Sequence, residues 1–98
     1  MKKQRYKQRN FYTRQLTQSL TELYSYDTLV GYRYDNYVLF TTKKYSPTTS
    51  KQCTQYTNEN YLTRYNISQK WIDTLSNCLT IHQQLDLIKL TLKQQGAK

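Results

Sequence analysis

The stretch YSYDTLVGYRYDNYVLFTTKKY, residues 24–45, decides the reading of the fold. β-Branched and aromatic residues dominate it, and apolar and polar positions roughly alternate, as on a strand with one buried face. Tyr26, Thr28, Val30, Tyr32 and Tyr34 fall on one side of such a strand. Asp35-Asn36 makes a two-residue turn, because both residue types tolerate positive φ. Val38, Leu39 and Phe40 open a returning strand. The stretch therefore predicts a β-hairpin with its tip at 35–36.

Upstream, MKKQRYKQRNFYTR (residues 1–14) carries Lys2, Lys3, Arg5, Lys7, Arg9 and Arg14 and no acid. Tyr12, Leu16, Leu20 and Leu23 then recur at helical spacing. A basic flexible arm over 1–11 is expected to lead into an N-terminal amphipathic helix that ends near Leu23. Downstream, Ser46 before Pro47 reads as an N-cap followed by proline at the first helical position; Thr48 or Thr49 serves equally well as cap. Gln52, Cys53, Tyr56 and Asn60 continue that helix, over about 47–59. YLTRYNI, 61–67, returns to strand alternation and is a candidate third strand. Ser68 caps a last helix over 69–95, with Trp71, Leu75, Cys78, Leu79, His82 and Leu85 in one stripe and Gly96 as its stop. The expected fold class is α+β: N-terminal helix, β-hairpin, short helix, third strand, and a long C-terminal helix packed on the small sheet, all in one domain over 12–98.

Bulk composition bounds the function. A chain of 98 residues holds one small core. Eleven tyrosines sit within its 37% hydrophobic fraction, so tyrosine rings must share in that core. Two glycines and one proline argue against a linker protein and against a many-turned β-sandwich. Fifteen basic residues against six acids (Glu22, Asp27, Asp35, Glu59, Asp73, Asp86) give a net charge of +9, which favours polyanionic partners. No stretch approaches the length of a membrane span, and no apolar leader follows the basic start. A cytoplasmic setting in a host bacterial cell is expected, with Cys53 and Cys78 as free thiols.

Three sets of residues carry candidate chemistry. Lys2, Lys3, Arg5, Lys7, Arg9, Arg14, Arg33, Lys43, Lys44, Lys51 and Arg64 form the expected phosphate- or partner-binding set, with tyrosines for stacking. No zinc-finger, RNA-recognition or helix-turn-helix signature accompanies them, so recognition would be led by shape and charge. Thr48, Thr49, Ser50 and Lys51 lie at a helix start and offer hydroxyls to a phosphate, although they lack the glycines of a P-loop; simple capping competes with that reading. Cys78 and His82 share a helix face and Cys53 is a third borderline ligand, with Asp86 a turn further on. Their place on an apolar stripe suits a core equally well. No cofactor is expected, zinc being the weaker alternative, and no catalytic residue is assigned: there is one histidine and no convergent acid, base and nucleophile.

Ser25-Tyr26-x-Thr28-x-Val30, followed by Tyr45-Ser46-x-Thr48-Thr49-Ser50-Lys51, resembles a family of small uncharacterised proteins of phages and bacterial mobile elements. The resemblance covers about residues 24–56. Relatives of that kind often carry histidine where this chain has Gln52. The resemblance implies a phage or mobile-element source. By analogy with other small phage proteins it implies a non-enzymatic inhibitor, anti-CRISPR-like, that occupies the surface of a host defence protein or nucleoprotein such as a CRISPR effector. The residues alone leave two alternatives: direct, weakly sequence-specific DNA or RNA binding, and a metal-stabilised interaction module.

Overall fold

The computed structural model describes residues 3–7 and 10–97. Six strands and three helices follow one another as β1 (Gln4–Arg5), β2 (Phe11–Gln15), β3 (Leu20–Ser25), β4 (Thr28–Tyr34), β5 (Tyr37–Thr41), α1 (Pro47–Glu59), β6 (Thr63–Ile67), α2 (Gln69–Ser76) and α3 (Ile81–Gln94). The strands form one sheet in chain order, β1 to β6. The first five make an antiparallel meander, and α1 carries the chain across to β6, which runs parallel to β5. Two of the meander's turns have two residues each, and in both the first residue takes positive φ: Tyr26 at 55° and Asp35 at 52°. The hairpin tip at 35–36 is thus present.

Strand alternation builds two cores, one on each face of the sheet. On one face Phe11, Leu23, Val30, Val38 and Phe40 pack with Cys53 and Tyr56 of α1. On the other, Leu20, Tyr32, Leu39 and Ile67 pack with Ile72 and Leu75 of α2 and Ile88 and Leu92 of α3. The apolar run Val38-Leu39-Phe40 follows from this, since β5 is covered on both sides. Between β3 and β4 the register shifts at Leu23/Tyr24, so Val30 is an extra residue in its strand, next to Gly31. At Gly31 the neighbouring strand comes close: an added Cβ would lie 2.3 Å from the Leu39 carbonyl oxygen.

The expected α+β arrangement is corrected on three points. No N-terminal helix exists over 12–23; β2, a turn and β3 occupy it. The four apolar positions that suggest a helix include Leu20 and Leu23, which lie on opposite faces of the sheet, in different cores. The segment between the strands is a turn held by Thr17, whose Oγ1 accepts from the amides of Ser19 (3.2 Å) and Leu20 (3.0 Å). Such local side-chain bonds compete with helix. The second correction is that the long C-terminal helix is two helices. Asn77 ends α2, and Thr80 starts α3 by accepting from the Gln83 amide at 3.1 Å, while Gln83 Oε1 accepts from the Leu79 amide at 3.2 Å. These two side-chain caps, Thr80 and Gln83, override the continuous apolar stripe, and Leu79 is left 90% exposed. Third, the small hairpin sheet is a six-stranded mixed sheet with helices on both faces.

Of the arm expected over 1–11, Gln4–Arg5 form β1 against Thr13 and Tyr12. Tyr6 packs edge-on against Phe11 and Tyr56. Among the described residues no helix is long and apolar enough to cross a membrane.

Candidate functional site

The start of α1 is tied to the end of β3 by buried hydroxyls. Ser46 caps the helix, its Oγ accepting from the Thr49 amide at 3.1 Å. Thr49 turns inward, where its hydroxyl lies 2.9 Å from Ser25 Oγ. Ser25 donates in turn to Gln52 Oε1 at 2.8 Å. This network gives the two halves of the Ser25…Lys51 pattern a physical link: they are the two sides of one strand–helix joint. Thr49 is therefore a packing group, while Thr48, Ser50 and Lys51 stay on the exposed side of the helix.

The basic residues separate into distinct places. On the α2–α3 face, beyond the area the helices cover, Tyr12 and Tyr24 stand opposite one another on β2 and β3. Neither ring belongs to either core. Lys3 Nζ lies 4.0 Å from the centre of the Tyr24 ring, and Arg5 sits over Tyr12 while donating to its hydroxyl at 3.3 Å. Beside them Arg14 pairs with the buried Glu22, which also accepts from Tyr24 Oη at 3.0 Å. Burial pushes the Tyr24 phenol up to about 12, and the Glu22 carboxylate adds to the rise. Burial, then Glu22, raises Tyr32 further along the same row. Three cations and one carboxylate thus surround a cross-strand tyrosine pair.

On the opposite face, where α1 leaves part of the sheet uncovered, there is an open cleft of about 980 Å³. Its floor is polar: Thr13, Gln15, Thr21 and Arg33 on β2, β3 and β4. The turns at 18–19 and 35–36 close one end. Tyr6 and the last turn of α1, with Tyr56 and Asn60, form the side. Arg33 is half-buried here and fixed by three acceptors. Its Nε donates to the Asp35 carbonyl at 3.2 Å, and its Nη1 to Tyr56 Oη at 3.2 Å and Asn60 Oδ1 at 3.4 Å. Asn60 is itself held, donating to Tyr6 Oη at 2.9 Å and to the Tyr56 carbonyl at 2.8 Å.

The other candidates lie apart from both places. Lys43 sits over Tyr45 in the exposed β5–α1 connection with Lys44. Arg64 lies over the Phe40 ring and donates to Asn66 at 2.9 Å. Lys7 pairs with Glu59 at 3.4 Å. Lys2 and Arg9 fall outside the described residues. The suggested metal set is not brought together. Cys53 is buried under α1. Cys78 follows α2 on the other side of the sheet, and His82 and Asp86 point into solvent from α3. Among the described residues no group of three or more His, Cys, Asp or Glu is placed to hold a metal ion. Burial pushes the Cys53 thiol up to about 11.

Sequence reasoning includes Arg33 but misses the cleft. The residues that hold its guanidinium are up to 27 positions away along the chain, and no local signal joins them. The tyrosine pair is missed because the β2 segment reads as helix.

Residues 1–74 match the family of unknown function DUF8033, and the chain belongs to that family. No curated protein and no solved structure matches it.

Proposed function

We propose that the protein is a small basic binding protein whose partner is a single-stranded nucleic acid. The observation that carries the reading is the Tyr12–Tyr24 pair with Lys3, Arg5 and Arg14 around it. A cation seated on a ring places positive charge beside an aromatic face, which is the pairing a strand of bases and phosphates needs. On binding, phosphates take the lysine and arginine heads and bases take the rings. The groups involved read no base edge, so binding is weakly sequence-specific. The net charge of +9 steers the encounter.

A second reading, occupation of a host defence nucleoprotein by a phage or mobile-element protein, has a different support. Leu79 is 90% exposed and Ile81 42% exposed at the start of α3; apolar side chains of this kind serve a protein contact, not a phosphate. Both readings put the protein at work in the cytoplasm of a bacterial host.

Fluorescence anisotropy separates them. Labelled single-stranded RNA and DNA are titrated at about 50 mM and about 200 mM salt, where phosphate-led binding weakens steeply. The Lys3→Gln, Arg5→Gln double variant is expected to lower the salt slope by about 1.4, two phosphate contacts at about 0.7 each. Tyr12→Ala is expected to weaken binding at both salts. Absence of binding by the native chain at the lower salt refutes the first reading and leaves the second.

A further inference from the structure

We infer that the cleft around Arg33 is a binding site for a phosphate monoester carried on a polar organic group, a nucleoside or a sugar. The inference does not rest on the reading above, because the cleft lies on the other face of the sheet from the tyrosine pair.

Four observations converge on it. Arg33 forms no ion pair among the described residues, so a half-buried guanidinium lines the cleft with no carboxylate in contact with it, the Asp35 carboxylate included. Its orientation is set in advance by Asp35, Tyr56 and Asn60 through Nε and Nη1, while Nη2 has no partner among the described residues. A guanidinium held in this way offers its remaining N–H groups to an anion with little further ordering. The floor supplies neutral donors and acceptors from Thr13, Gln15 and Thr21, and the Asp35 side supplies a carboxylate, an acceptor for sugar hydroxyls. Finally, about 980 Å³ is at the upper end of small-molecule sites and well beyond the needs of a bare inorganic anion. The mainly polar lining disfavours a lipid tail.

The test is calorimetric titration of the whole chain with adenosine 5′-monophosphate, ribose 5-phosphate, adenosine and inorganic phosphate. The two monoesters are expected to bind, and adenosine at least about tenfold more weakly, the scale of a charge-assisted hydrogen bond. Arg33→Gln is expected to weaken the monoesters by about tenfold or more, and Arg33→Lys to recover only part of the loss, since the fork is gone. Arg33 also braces α1, so Gln15→Glu provides an independent check. It adds negative charge to the floor at an exposed position, leaves the Arg33 bonds in place, and is expected to weaken the monoesters with an unchanged melting temperature. Lys70→Gln, at an exposed position of α2 on the other face of the sheet, is expected to leave monoester binding unchanged. Oligonucleotides with and without a 5′-phosphate then distinguish a strand end from a free nucleotide as the source of the monoester. Equal binding of adenosine and its monophosphate, monoester binding unmoved by Arg33→Gln and Gln15→Glu, or no monoester binding at millimolar concentration overturns the assignment.

Discussion

Gly31→Ala tests the packing of the sheet where β5 closely approaches β4. The added Cβ would lie 2.3 Å from the Leu39 carbonyl oxygen, 2.7 Å from Phe40 Cδ1 and 3.2 Å from the Leu39 carbonyl carbon. The nearest obstacle is backbone of the adjacent central strand, which carries buried side chains on both faces. A flexible side chain could rotate away, but this carbonyl moves only if the β4–β5 ladder moves with it. Overpacking in a core costs about 1–3 kcal/mol when side chains can yield, so a backbone clash here is expected to cost at least about 3 kcal/mol. For a domain of this size that lowers the melting temperature by at least about 12 °C. Gly96 provides the comparison. It has φ of +94° and open space around its Cβ direction, so Gly96→Ala is expected to cost only about 1 kcal/mol of conformational strain. Thermal melts by circular dichroism and urea midpoints give both values. A Gly31→Ala variant within about 1 kcal/mol of the native chain refutes the reasoning, since even the ordinary cost of an overpacked core would then be missing. Near-complete rescue by Phe40→Leu would do so as well, by showing that the ring and not the backbone sets the cost.

Three further outcomes follow from the same packing. Ser25→Ala removes the donor to buried Gln52 Oε1 and one partner of Thr49, and an unsatisfied buried acceptor costs about 1–3 kcal/mol; an unchanged urea midpoint would show the joint to be dispensable. Cys53 is buried and its thiol is raised from 9.0 to about 11, so in the native chain at about pH 8 a thiol reagent is expected to modify Cys78 and to reach Cys53 only on unfolding. Because the folded-state value is the higher one, the Cys53 contribution to stability is complete below pH 9 and is lost as pH rises through about 11. Urea midpoints across that window are expected to fall less steeply in Cys53→Ala, and rapid native labelling of both thiols contradicts the burial.

Local chemistry is readable in the sequence where it acts over a few residues. The Asp35-Asn36 turn, the Ser46–Pro47 helix start and the Ser68 cap each depend on neighbours in the chain, and each lies where the residues point. The errors arise where two periods fit the same apolar positions. Leu20 and Leu23 are three apart, as on one face of a helix, yet a strand sends them to opposite faces. Thr17 and Ser19 are the overlooked turn signal, and Thr80 with Gln83 the overlooked cap. The candidate sites are less legible for a different reason. Arg33 gains its setting from Tyr56 and Asn60, and Tyr12 from Tyr24, through pairings that only the folded sheet creates.

Because the spatial order of the strands is the chain order, the sheet's two margins belong to unlike strands, β1 and β6. Self-association that joins one molecule's β1 to another's β6 is head-to-tail. Repeated contacts of that kind give open filaments rather than closed pairs. β1 offers only two residues for such pairing. Each margin also carries a cation, Arg5 on β1 and Arg64 on β6. A two-residue edge strand and an arginine on each margin therefore work against fibrous aggregation.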